Sequence, residues 1–247
     1  MEPTNMHEAV DQRLVDIQDE VRDAFGWGLE EDLLAAEALV QRTYELVAAV
    51  PSWSQEGRLA SLDALRATLF AAERVTVLGA AATEEEARRV AQQEGVIIAA
   101  DGSVGALRVR NRLACVVSDF DGGVHLHSAA KEGVPIVAHS HGDNVQRFTR
   151  ALSEWSQFDT PPSLILTHQT SAQCQGAHNF GGFTDGDRAV CFALAMGVNL
   201  MNIDLVGFSL NTVGMWSATT VPEQKLKKLA WMYRILEMVE LHDAVAP

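Results

Sequence analysis

Four times between Ile97 and Arg188 an apolar, strand-like run stops at a short cluster of Asp, Gly, Asn or His. The clusters are Ala100-Asp101-Gly102-Ser103, Ser118-Asp119-Phe120-Asp121-Gly122-Gly123, His139-Ser140-His141-Gly142-Asp143-Asn144, and Asn179 through Gly181-Gly182-Phe183-Thr184-Asp185-Gly186-Asp187 to Arg188. Short apolar runs punctuated in this way read as buried strands whose carboxyl ends carry the turns. If the strands are parallel neighbours, the clusters share one edge, which is where open α/β sheets bind ligands. Carboxylates gathered at such an edge repel one another unless a cation lies between them. The pattern therefore asks for a hard divalent ion such as Mg²⁺, and such ions commonly accompany phosphates.

The remaining composition narrows the partners. A formal net charge of -14 over 247 residues argues against nucleic-acid or anionic-membrane binding, while leaving room for a local basic pocket. Cys115, Cys174 and Cys191 are odd in number and widely spaced, which fits a reducing interior and offers no zinc spacing. The first residues lack the basic, apolar and small-residue order of a signal peptide. The longest apolar passage, Ala189 to Met201, is too short to span a bilayer and contains Gly197 and Asn199. A soluble, cytoplasmic protein is expected.

Apolar residues recur at helical spacing from His7 to about Phe25, from about Glu30 to Val50, and from about Gln55 to Ala72. These segments predict a helical N-terminal extension, 1–72, that packs on the main domain or contributes to a homo-oligomer. Residues 73–247 are expected to form the α/β domain, a Rossmann-like, mostly parallel sheet with flanking helices. Arg74 to Gly79 begins it, and Thr83-Glu84-Glu85-Glu86 has the capping-box pattern of a helix start. Asp101-Gly102-Ser103 is expected to turn the chain into a helix holding Leu107 and Val109.

Leu113 to Val117 delivers Asp119 and Asp121, and carboxylates spaced by one residue face the same side of an extended chain. Asp143 is the third ligand expected for the same cation, with His141 in second place. The His125/His127 and His139/His141 pairs have a spacing met in zinc sites, but no third ligand is nearby, so they read as packed or hydrogen-bonded features. Gly181, Gly182 and Gly186 permit close backbone approach, and Thr184-Asp185-Gly186-Asp187 can cap the helix from Arg188 to Met196; together with Arg188 they suggest ligand contact. After a last strand from Asn202 to Gly207, the 208–220 segment reads as a loop or lid. Trp216 reads as a core residue before a stacking surface. The helix from Pro222 carries Lys225, Lys227 and Lys228 on a solvated face.

Taken together and in order, the four clusters resemble the archaeal 6-hydroxymethyl-7,8-dihydropterin diphosphokinase family, related to thiamin pyrophosphokinase catalytic domains; the resemblance runs from about Arg74 to Gly207. It implies Mg²⁺, ATP and a reduced pterin, with transfer of diphosphate to the pterin and release of AMP, in tetrahydromethanopterin or folate biosynthesis. Under it Asp119, Asp121 and Asp143 hold the metal, and Asp101, Gly102, Ser103, Asn144 and Arg147 contact the nucleotide. Asn179, Gly181, Gly182, Thr184 and His141 contact substrate, while Asp121, Asp143, Asp187 and Arg188 carry the catalytic roles, Asp187 as acceptor of the hydroxyl proton. Where the family has a Gly-Pro-Ser type loop, this chain has Gly79-Ala80-Ala81-Ala82-Thr83, and no phosphate contact is assigned there. Two rival readings are a haloacid-dehalogenase-like phosphatase, from Val116 to Gly122, and a non-catalytic nucleotide-binding module. The first expects Thr where Gly123 stands.

Overall fold

The computed structural model describes residues 9–218 and 221–246. Six short strands, β1 (Val75–Leu78), β2 (Val96–Ala100), β3 (Leu113–Ser118), β4 (Ile136–His139), β5 (Leu164–Thr167) and β6 (Ile203–Val206), form one sheet in the order β5-β4-β3-β2-β1-β6. Every pairing is parallel. The α/β class and the parallel sheet agree with the sequence reading. All six carboxyl ends consequently lie along one edge.

Alternation along the strands divides the core between the two faces. Val77, Ile98, Cys115, Val117, Val137 and Ile165 face α3 (Gln55–Ala71), α7 (Asp185–Ala195) and α8 (Pro222–Met238). Ala99, Val116, Ile136, Ala138, Leu164 and Leu166 face α5 (Gly123–Lys131), α6 (Val145–Trp155) and Leu39 of α2 (Leu29–Glu45). On that same face α4 (Glu84–Gln92) covers Leu78 and Ile97. Because both faces are covered, the strands read as nearly continuous apolar runs. α7 carries the chain from β5 across the sheet to β6. It is buried from Gly186 to Ala193, as a helix apolar on all sides should be.

α1 (Arg13–Phe25) packs through Leu14, Ile17 and Val21 against Phe183, Cys191 and Ile235. Its expected start at His7 lies outside the described residues. The Thr83 capping box forms as its sequence pattern suggests. Asp101 instead opens a tight 3-10 turn, Asp101–Ala106, which ends before Leu107 and never becomes the expected helix. Among the described residues no helix is long and apolar enough to cross a membrane.

Candidate active site

The strand ends place four carboxylates together. Asp101 follows β2, Asp119 and Asp121 follow β3, and Asp185 opens α7; one oxygen from each lies within 4.8 Å of the others. Asp143 stands outside this group. Its side chain is 81% exposed and pairs with His141 Nδ1 at 2.7 Å and Arg147 Nη2 at 3.4 Å. The fourth carboxylate is thus Asp185, which the sequence pattern presented only as part of a cap.

Strand alternation does not bring Asp119 and Asp121 together. β3 ends at Ser118, and Phe120 adopts a left-handed backbone with φ 71°. For a non-glycine residue this conformation costs about 1–2 kcal/mol. Burial of the Phe120 ring beside Phe148 (5.9 Å) and Trp155 (5.6 Å), worth roughly 1.5–3 kcal/mol, is enough to hold it. Asp101 also has a positive φ, 46°. Its carboxylate accepts a hydrogen bond from Ser118 Oγ and presses on Gly122, where a methyl group would lie 2.8 Å from Asp101 Oδ1.

The like charges disturb one another. Burial, then the charges of Asp185, Asp121 and Asp119, push the Asp101 carboxyl well up. Burial and Asp119 raise Asp121, and burial with Asp119 pushes Asp185 up to about 7 despite Arg188. Asp119 goes the other way. Burial opposes its charge, but His141, whose Nε2 lies 3.2 Å from Oδ2, outweighs that together with Arg188 and Arg147, so Asp119 stays ionised well below the usual range. Asp119 Oδ1 is buried with no hydrogen-bond partner. An all-oxygen donor set with one orphaned, ionised oxygen suits a hard divalent cation.

A cavity of about 650 Å³ opens over this cluster. Arg147, Arg188, Lys225 and Lys228 line it, so Lys225 and Lys228 are not on the purely solvated face expected for them; Lys227 is, paired with Glu223 at 3.3 Å. Trp216 is half-buried, donates from Nε1 to Ala82 O (2.8 Å) and meets His125 edge-on at 5.3 Å, so it walls the cavity as part of the 208–218 segment. The rest of the predicted 208–220 stretch, residues 219 and 220, lies outside the described residues. Gly102, Thr184 and His141 also line the space.

Other predicted contacts turn away from it. Asn144 is buried and donates to His139 O (2.8 Å) and Asp119 O (3.0 Å), which shapes the two loops. Ser103 donates to Leu78 O at 2.7 Å. Asn179 is tied to Gln18 and Thr170, and a methyl on Gly181 would lie 2.6 Å from Leu14 Cβ, so this stretch seats α1. Asp187 is fully buried and accepts from Phe183 N, Thr184 N and Thr184 Oγ1 (2.7 Å), so it closes the capping box on Thr184, the N-cap of α7, and does not line the cavity. His139 meets Thr167 and Gln169, and His127 meets Glu154, so both have side-chain partners.

Sequence reasoning missed the part played by the first two helices. Gly26, Trp27, Gly28, Glu31 and Asp32, at the corner between α1 and α2, line the cavity. Asp32 is buried; Oδ1 accepts from Gly142 N (2.8 Å), and Oδ2 accepts from Gln169 Nε2 (2.9 Å) and Arg22 Nη1 (3.2 Å). Gln169 Oε1 in turn accepts from Arg188 Nη2 at 2.8 Å, and Arg188 Nη1 donates to Asp185 at 3.2 Å. A continuous polar chain thus runs from α1 and α2 to the carboxylate cluster.

Fold and site together define a class: an α/β protein whose parallel sheet carries, at its carboxyl edge, a cavity equipped for a cation and for anionic groups. No family model matches the chain. It is 36% identical over 177 residues to the 6-hydroxymethyl-7,8-dihydropterin pyrophosphokinase of Pyrococcus furiosus, an alignment covering 68% of this chain and 72% of that protein. Proteins of the same name from Methanothermobacter thermautotrophicus (34% over 128 residues, 51% of each chain) and Methanocaldococcus jannaschii (35% over 98 residues, 39% of each) are also similar. The chain belongs to the 6-hydroxymethyl-7,8-dihydropterin pyrophosphokinase family.

Proposed function

We propose that this protein transfers diphosphate from ATP to the hydroxymethyl group of 6-hydroxymethyl-7,8-dihydropterin, releasing AMP, with Mg²⁺ as its divalent cation, as a soluble cytoplasmic step of pterin biosynthesis. The names of its relatives support the reaction. The observation that carries the reading is the carboxylate cluster with its orphaned Asp119 oxygen, set in one cavity with two arginines and two lysines.

In this reaction the hydroxymethyl oxygen bonds to the β-phosphorus of ATP and gives up its proton to solvent water. The bond from that phosphorus to the α,β-bridging oxygen breaks, and AMP leaves with the electron pair. Such transfers depend chiefly on positioning and charge neutralisation. Asp101, Asp119, Asp121 and Asp185 would hold the cation, which when bound neutralises phosphate charge. His141 keeps Asp119 ionised and aimed, and Arg147, Lys225 and Lys228 give the triphosphate positive partners. Arg188, gripped by Asp185 and Gln169, supplies a fixed charge whose direction is set before substrate arrives.

Product analysis tests this. Protein incubated with ATP, Mg²⁺ and the reduced pterin should yield AMP and pterin diphosphate in equal amounts. ADP as the nucleotide product excludes diphosphate transfer, and release of inorganic phosphate from a simple phosphoester would revive the phosphatase reading.

A further inference from the structure

In an in-line displacement the attacking and leaving oxygens lie on opposite sides of the phosphorus. The two ring systems of this reaction must therefore occupy opposite ends of the cavity, with the carboxylate cluster between them. The sheet order gives the cavity two such ends. The cluster sits over β2 and β3. Toward β1 and β6 the walls are Gly79, Ala80, Ala81, Gly207 and Trp216. Toward β4 and β5 lies the α1–α2 corner, fixed there by Asp32 through Gly142 and Gln169.

The two ends differ in chemistry. At the corner Trp27, 42% exposed, stacks on Phe25 at 4.6 Å and meets Phe183 at 6.0 Å. Lys228 Nζ is held 5.4 Å from the Trp27 ring and 5.8 Å from the Phe183 ring. Glu31 lies beside this shelf, its Cβ so near Gly142 that a methyl there would be 2.8 Å away. A dihydropterin has a flat ring whose 2-amino and N3–H groups are adjacent donors, and a carboxylate accepts such a pair side by side. Adenine presents an amino donor next to the N1 acceptor, which a carboxylate repels. Among the described residues that line the β1–β6 end, none of those named carries a carboxylate.

We propose that the pterin ring binds on the Trp27–Phe183 shelf with its amino edge toward Glu31, and that the nucleoside occupies the β1–β6 end. The assignment rests on the pterin diphosphokinase reading and gives the N-terminal helices a specific task in substrate choice. Lys228, held over both rings, then marks where the transferred diphosphate meets the shelf.

Steady-state kinetics of the full chain with both substrates varied test the assignment, alongside direct binding of fluorescent 6-hydroxymethylpterin in the absence of ATP. Trp27→Ala should raise the pterin KM at least tenfold and leave the ATP KM within twofold, while Trp27→Phe keeps most of the affinity. Glu31→Gln, a change at an exposed side chain, should weaken pterin binding by a similar factor and guards against a folding defect in the tryptophan variant. A rise confined to the ATP KM would place the nucleoside on the shelf and overturn the assignment. So would a pterin KM within twofold of wild type in both Trp27→Ala and Glu31→Gln. Wild-type protein that neither binds nor turns over the pterin defeats the parent reading as well, so the two failures are distinguishable.

Discussion

Asp143 and Asp185 show how little spacing says about where a side chain points. Both stand in Asp- and Gly-rich turns, yet Asp143 is exposed and Asp185 completes the carboxylate cluster. Within Thr184-Asp185-Gly186-Asp187 either Thr184 or Asp185 can serve as the helix cap on sequence grounds. Thr184 is the N-cap and Asp187 closes the capping box on it, which leaves Asp185 to face the cavity. The consequence is a contrast between variants. Asp121→Asn and Asp185→Asn should each lower turnover by about a hundredfold or more, the scale expected when a transition-state charge loses its partner. Asp143→Ala should lower it less than tenfold. Asp121→Asn should also keep or raise the unfolding temperature measured without divalent ions, because it removes a carboxyl that burial, and then repulsion from Asp119, push up. Assays over a Mg²⁺ titration with parallel thermal melts check both, and near-normal activity in either Asn variant would remove that residue from the cation set.

At the level of elements, the strands were readable because buried parallel strands leave continuous apolar runs and end in turn residues, while their order in the sheet was not. The helices were readable as helices, but their faces were not. Lys225, Lys227 and Lys228 share the first turns of α8, and only the docking of that helix decides that two of them line the cavity. The glycine pair misled for the same reason. Gly181 has φ 88°, a conformation that suits a ligand-facing loop and a helix seat equally well, and its neighbour is Leu14 of α1. Gly181→Ala should therefore act on stability before catalysis. The positive φ and a methyl 2.9 Å from Leu14 O together predict a loss of about 2 kcal/mol or more, measured by urea unfolding. Unchanged stability would show that α1 is seated elsewhere.

The molecule as a whole carries a titration signature apart from the carboxylates. His168, just beyond β5, is 4% exposed, and its Nδ1 accepts from Thr170 N at 3.2 Å. Burial, helped by the charge of His178, pulls its pKa from 6.5 down to about 4. A folded value below the unfolded one means that the neutral ring contributes fully above pH 6.5 and loses its contribution as pH falls toward 4. Its full extent is about 3 kcal/mol. Urea unfolding at pH 7.5 and 4.5 should show wild type losing more stability than His168→Asn, whose amide oxygen can still accept from Thr170; equal losses would exclude the histidine as the cause. A different consequence follows from the cavity being walled by α8 as well as by the strand ends. In chain order the acidic rim, Asp101 to Asp185, is synthesised first, and Lys225 and Lys228 come only with the final helix. If the carboxylates do hold a cation, its donors are therefore all in place in the chain before either lysine that would face a bound anion has been made.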